Sequence, residues 1–292
     1  MKKLVVALIT LLGVTGLLLA FHGRSKNEVS LSGMTSDAII LTDFETGEVL
    51  AEKKSDKKIQ IASLTKLMTA LCVIESTANF NDTVILSEEN LNRLAMEGMA
   101  VSGFSANDAV TVNDLLYGMM LPSGADAAEA LAYYVSGSQD DFVMLMNNKA
   151  KELGLTKTHF SNVVGYDNKG NYSTAQDLMT LLTFALQSPL FKEIFMTQQK
   201  ISQPTIFCPE GVLLESTLIK SGEHLGFDGG NILGGKTGYT NKAGLCLASM
   251  AEIQGRWYLL VNCHADGSPT TEPAHLIEAK EIYQRLAAKE GV

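Results

Sequence analysis

Basic residues are scarce in this 292-residue chain: 23 Lys and Arg stand against 32 Asp and Glu, a formal charge of −9. No local Lys/Arg cluster compensates. Phosphate binding needs a basic surface, so nucleic-acid recognition is excluded as a function class. A single Trp, eight Tyr and eleven Phe offer no repeated stacking platform. Four scattered cysteines are too few for a disulfide scaffold. The chain also lacks internal repeats and low-complexity linkers. What remains is an ordinary folded composition, 46% hydrophobic and 19% charged, long enough for one or two domains with a substantial core.

One long apolar run is present. Lys2-Lys3 precede Leu4–Phe21, which carries no charge and is interrupted only by Thr10, Gly13, Thr15 and Gly16. As a helix it would span about 27 Å, close to the ~30 Å hydrocarbon core. It exceeds the usual signal-peptide core of about 7–15 residues. No A-x-A cleavage site follows, and the nearest cysteine, Cys72, is too distant for lipid modification. Residues 1–22 are therefore expected to be an uncleaved N-terminal anchor, with a cleaved signal peptide as the alternative, and 23–36 a polar linker. Either way the protein is exported, and a membrane is a partner if the segment stays. This run accounts for much of the mean hydropathy of +0.11. Without Lys2 and Lys3, 21 basic residues face 32 acidic ones.

Ala38–Leu41 and Val49–Ala51 read as short strands joined through Glu45-Thr46-Gly47. Ser63 opens an apolar helix over Leu64–Ile74, hydrophobic nearly all round and so central. From about 87 to 219 helical signals dominate. Ser173-Thr174-Ala175-Gln176 reads as a capping box, and Ser188-Pro189 as an N-cap followed by N1. Phe142, Met146, Ala150 and Leu153 recur at helical spacing and stop at Gly154. Gly244–Ala251 and Arg256–His264 read as strands around a turn at Gln254-Gly255. The spacing of Leu276, Ile277, Ile282, Tyr283 and Leu286 predicts a final helix lying on a sheet. The expected class is α/β: a sheet part over about 37–86 and 220–292, a helical insertion over about 87–219.

Ser63-Leu64-Thr65-Lys66 carries the chemistry. Positions i and i+3 share a helix face, bringing the Ser63 hydroxyl and Lys66 amine within reach. A serine needs an adjacent base to act as a nucleophile, and a desolvated lysine can supply one. Alone the pattern is weak, because such pairs recur on exposed helices. A second element, Lys236-Thr237-Gly238, precedes a strand pattern. There Lys and Thr can clamp a carboxylate while Gly238 lets a substrate backbone approach an edge strand. Between them, Pro122-Ser123-Gly124 breaks two helical stretches and can place a second hydroxyl in the cleft. No residue pattern asks for a cofactor.

With these motifs the sequence resembles the serine D-Ala-D-Ala carboxypeptidases, low-molecular-weight penicillin-binding proteins, whose superfamily carries S-x-x-K, S-D-N-like and K-T-G motifs. The resemblance covers about residues 37–290. It takes in Thr46-Gly47, Ala62–Thr69, Leu115–Gly118, Leu121–Gly124, His159–Asn162, Ser173-Thr174 with Asp177, Lys236–Thr240 and Lys242–Gly244. It implies a five-stranded antiparallel sheet with flanking helices and a helical subdomain, the active site between them. It implies Ser63 as the acylated nucleophile, Lys66 as general base and Ser123 as proton relay. Lys236 and Thr237 would hold the substrate carboxylate, Gly238 would let it approach, and the Ser63 and Tyr239 amides would form the oxyanion hole. The implied partners are peptidoglycan stem peptides ending in D-Ala-D-Ala, and β-lactams as covalent inhibitors, on the extracytoplasmic face of a bacterial membrane or in the cell wall.

Two departures stand out. Ala125 occupies the position where the middle motif normally has Asn, an amide that bonds substrate and helps hold the lysine. Nucleophile, base and clamp remain, so activity is expected to survive, with a lower rate or altered β-lactam sensitivity as the cost. The alternative is a weak or inactive peptidoglycan-binding homologue. Many members also continue into a β-rich domain and amphipathic anchor absent from this sequence, which shifts the expected tether to Leu4–Phe21. A class A β-lactamase would add a deacylating glutamate, but Glu129 and Glu152 read as exposed helix residues. Glu272-Pro273-Ala274-His275 has the spacing of a zinc peptidase pair without a ligand cluster to complete it. Cys246 and Cys263 fall opposite each other about the Gln254-Gly255 turn. Two free buried thiols are expected, with a cross-strand disulfide as the alternative.

Overall fold

The computed structural model describes residues 28–220, 222 and 224–291. The apolar run Leu4–Phe21 lies outside the described residues. Among those described, no helix is long and apolar enough to cross a membrane.

The central sheet begins with β1 (Ala38–Asp43) and β2 (Val49–Lys53) and ends with β7 (Gly226–Phe227), β8 (Gly230–Thr240), β9 (Gly244–Ile253) and β10 (Arg256–Ala265). The order is β2-β1-β10-β9-β8-β7, with every pair antiparallel. Six strands stand where five were expected. The extra one, β7, is two residues long, too short for any periodicity to mark. Ile40, Ala248 and Val261 enter one hydrophobic cluster, while their neighbours Ile39, Leu247 and Leu260 enter another on the opposite face. Coverage on both faces is why these strands read as unbroken apolar runs rather than alternating ones. The β9–β10 turn places Gln254 at φ +51° and Gly255 at φ +77°, the left-handed pair a two-residue hairpin requires.

Nearly every side chain of α1 (Thr65–Ser76) is buried. It is ringed by α3 (Val112–Met120), α4 (Ala125–Ser136), α5 (Gln139–Glu152), α6 (Ala175–Ala185) and α7 (Pro189–Met196). On the far side α8 (Ala274–Glu290) covers the sheet with Leu276, Ile282, Tyr283 and Leu286. Helix starts follow cap chemistry: Thr111, Ser138 and Ser188 each accept the amide three residues on, as does Ser87 before α2 (Glu88–Met96). Before α6 the cap is Thr174, which accepts from Asp177 N, one residue later than the Ser173 reading. Ser173 instead pairs by backbone with Ile59.

Two small antiparallel strand pairs were not legible: β3 (Thr83–Ile85) with β4 (Ala109–Thr111), and β5 (Gln199–Ile201) with β6 (Leu213–Glu215). Three-residue strands carry no readable period. Cys246 and Cys263 are both free and buried. The β9–β10 register shifts between Asn262 and Ala265, so the expected pairing falls at an irregularity. Cys246 Sγ donates to Ala243 O at 3.4 Å. Cys246 and burial together push the Cys263 thiol well above its usual range.

Candidate active site

Ser63 lies in a single 3-10 turn, Ala62–Leu64, just ahead of α1 rather than inside it. The turn is held in an unusual shape: Ala62 has φ +44°, a region costly for a residue with a side chain. Gly165, at φ +99°, packs directly on it, and a methyl there would lie 2.0 Å from Ala62 O. From the other side a methyl on Gly238 would lie 2.9 Å from Ser63 N. Glycine at both positions lets two backbones close on the serine.

Lys66, one helical turn on, donates from Nζ to Ser63 Oγ at 3.1 Å and to Val164 O at 2.9 Å. Its side chain is almost wholly buried. Burial lowers its pKa to about 7, against the opposing pull of Asp126 and Glu129. Near neutral pH a large share of the amine beside the hydroxyl is then neutral, the state a general base needs.

Ser123 sits in the break between α3 and α4 with φ +68°. Its Oγ accepts from Lys236 Nζ at 2.9 Å, which also donates to Thr237 O at 2.8 Å. Lys236 is fully buried, and burial plus the neighbouring Lys66 hold its pKa well below the ordinary lysine value. Thr237 Oγ1 pairs with Thr217 Oγ1 at 2.6 Å. Tyr239 is paired with Leu245 across the sheet, and its hydroxyl turns outward to Asn241 at 3.0 Å. The Lys236-Thr237-Gly238 segment lies within β8 rather than ahead of a strand. Four glycines in that strand hid it, since glycine carries no strand preference.

The structure thus brings Ser63, Lys66, Ser123, Lys236, Thr237 and Gly238 to one cleft, between the β8 edge and the ends of α1 and α4. Sequence reasoning missed Thr217 and the Val164 carbonyl; neither carries a local motif. Asn162, inside a stretch already singled out, caps the loop bearing that carbonyl by accepting from the amides of Val164, Gly165 and Tyr166 at 3.2, 2.6 and 3.0 Å. Ala125 opens α4 fully buried, and its amide donates to Ala100 O at 2.8 Å. Glu152 is exposed as expected, but Glu129 is buried, 2% exposed, and paired with Arg93. His275 is buried in the first turn of α8, and among the described residues no cluster of His, Cys, Asp and Glu could hold a metal.

A family model described as D-alanyl-D-alanine carboxypeptidase, peptidase S11, matches residues 25–266. The chain belongs to this family. It is 37% identical to the D-alanyl-D-alanine carboxypeptidase DacC of Escherichia coli K12 over 239 residues, 78% of this chain and 56% of that protein. It is 31% identical to the DacF carboxypeptidase of Bacillus subtilis 168, covering 80% of this chain and 58% of the relative. The chain therefore spans somewhat over half the length of these relatives. Among solved structures, the Streptomyces K15 DD-transpeptidase superposes with a TM-score of 0.77 at 28% identity, covering 89% of this chain and all of that one. The D-alanyl-D-alanine carboxypeptidase from Mycobacterium tuberculosis H37Rv gives 0.76 at 25% identity, covering 91% and 96%. The S11 family fold is thus an α/β transpeptidase-like fold, here with six strands in the main sheet.

Proposed function

We propose that the protein is an exported serine D,D-carboxypeptidase that removes the terminal D-Ala from peptidoglycan stem pentapeptides and is acylated by β-lactams on Ser63. The observation that carries this reading is the contact between Lys66 Nζ and Ser63 Oγ at 3.1 Å, made by a buried amine whose pKa is about 7. Lys66 takes the Ser63 proton as Oγ attacks the penultimate D-Ala carbonyl. The oxyanion is received by the Ser63 and Tyr239 amides; one such donor is typically worth about 3–4 kcal/mol of transition-state stabilisation. The C–N bond then breaks as Ser123 passes a proton to the leaving amine and is replenished, by way of Lys236, with the proton that Lys66 took from Ser63, which returns Lys66 to its neutral form. Water, activated by the same base, clears the acyl-enzyme. Lys236 and Thr237 hold the terminal carboxylate, and no cofactor takes part. Capture is local, because the protein as a whole is anionic.

The leaving amine separates a carboxypeptidase from an endopeptidase, and the acceptor separates both from a transpeptidase. Relatives include a D-alanyl-D-alanine endopeptidase of Escherichia coli and the K15 DD-transpeptidase. Ala125 supports a second reading, a catalytically weak peptidoglycan-binding homologue. Intact mass after benzylpenicillin, with Ser63→Ala as control, separates the two. One added penicilloyl mass on the unmodified protein alone, together with D-Ala release from a pentapeptide, is expected. Absence of both would put the binding homologue in front.

A further inference from the structure

Helix α1, which carries Lys66, packs on α4, whose opening residue Ala125 has only a methyl group and no hydrogen-bonding atom in its side chain. Positions 125 and 129 share a helix face, and Glu129 is one of the two carboxylates whose charge acts on Lys66. Glu129 is not free to pair with the lysine: Arg93 Nη2, reaching over from α2, donates to its Oε2 at 2.5 Å. The same guanidinium donates through Nη1 to Glu97 at 3.0 Å and to Tyr166 Oη at 3.4 Å, while Tyr166 Oη donates to Glu97. Tyr166 belongs to the loop whose Val164 carbonyl holds Lys66. One arginine therefore ties the buried carboxylate on α4 to the loop that holds Lys66 through the Val164 carbonyl.

We infer that Arg93, Glu129 and Tyr166 form a positioning network for Lys66: Glu129 supplies a buried counter-charge, Arg93 restrains it, and Tyr166 fixes the loop that presents the Val164 carbonyl. The inference rests on Lys66 being the base of the reaction proposed above. A carboxylate left bare at this site would trap the amine in its protonated, unreactive form. A neutral group there would leave the buried amine with less support for any proton it must carry. The paired carboxylate sits between these extremes.

The other charged groups acting at the site are accounted for. Asp126, also on α4, accepts from the Ser102 amide at 2.8 Å and from its hydroxyl. Lys236 faces Lys66 from β8. Of the ionisable groups on the other elements around α1, Asp140 and Lys151 of α5 are exposed and Lys192 of α7 lies over the Trp257 ring. Asp114 bonds Thr111, Asp177 bonds Thr158, Glu193 bonds Tyr117, and Lys149 bonds Glu75 and Glu152.

The two ends of one ion pair should then act on Lys66 in opposite senses. The Lys66 titration is read directly by NMR of the protein carrying 13Cε-labelled lysine, the signal assigned with Lys66→Met. Glu129→Gln removes a negative charge and is expected to lower the Lys66 midpoint by about half to one pH unit. Arg93→Ala unmasks that charge and is expected to raise it by a similar amount. Tyr166→Phe, which keeps the ring and loses only the hydroxyl, should slow acylation by fluorescent penicillin severalfold at every pH with the midpoint nearly unmoved. Parallel shifts in Glu129→Gln and Arg93→Ala, or no shift in either, would overturn the network. The titration needs no turnover, so an unreactive wild-type protein would sink the proposed activity while the midpoints still decide this inference.

Discussion

Two buried lysines, each within a hydrogen bond of a serine hydroxyl, dominate the chemistry of the cleft. They cannot both carry charge cheaply: each is desolvated, and Lys66 disfavours the charged form of Lys236. A substrate carboxylate changes that balance, because an anion beside Lys236 favours its ammonium form. Carboxylate binding should therefore draw a proton from solution. Calorimetry of Ser63→Ala with an acetylated peptide ending in D-Ala-D-Ala, at pH 8 in buffers of differing ionisation enthalpy, is expected to show net uptake of a fraction of a proton. Lys236→Arg, permanently charged, should show none; equal heats in all buffers for the parent would exclude the coupling. At this scale much of the site was legible. The i, i+3 spacing of Ser63 and Lys66 needs only helical geometry to be read, and Ser123 betrayed itself through the proline and glycine flanking it. Glu129 did not, because helix periodicity treats a glutamate as solvent-facing unless the arginine that buries it, 36 residues away, is known.

Among the elements, the serine turn is shaped by contacts from two glycines that lie far from it in sequence. Gly165 has both a left-handed φ and a carbonyl where its side chain would go, whereas Gly154, at the end of α5, has φ +71° and open space. Gly154→Ala should thus cost only the backbone strain, about 1 kcal/mol, with acylation unchanged. Gly165→Ala must also move the Ala62–Leu64 turn, and its acylation by penicillin should fall by more than tenfold beyond any loss of stability. Stopped-flow acylation and urea unfolding on the same two variants check both halves. Equal behaviour of the pair would show that the turn is not held by this contact. The elements themselves were unevenly readable. The long apolar strands β9 and β10 and the capped helices announce themselves, while glycine-rich β8 and the three-residue strands depend on partners supplied by tertiary packing.

For the molecule as a whole, the sheet is closed by joining the two ends of the described chain. β1 inserts between β2 and β10, and the segment before it is pinned to α8: Glu278 accepts from the Thr35 hydroxyl at 2.8 Å and from the Ser36 amide at 3.2 Å. Asn262 Nδ2, in β10, bridges to Ser36 Oγ at 3.2 Å and to His275 O at 2.9 Å. Within this polar seam the His275 ring is buried, with no hydrogen bond to Nδ1. Burial lowers its pKa from 6.5 to about 4, opposed by Glu278. Above pH 6.5 the ring is neutral both folded and unfolded and has no effect on the pH dependence. As the pH falls from 6.5 to 4 the unfolded chain takes up a proton that the folded one refuses, so stability drops, and below 4 both forms are protonated and the loss levels off. The full loss from this ring is about 3 kcal/mol. Urea unfolding of the protein at pH 7, 5.5 and 4 should show that decline, and His275→Gln, which cannot take up the proton, should flatten it by a comparable amount. An unchanged slope in His275→Gln would place the acid sensitivity elsewhere than in the seam that joins the two ends of the fold.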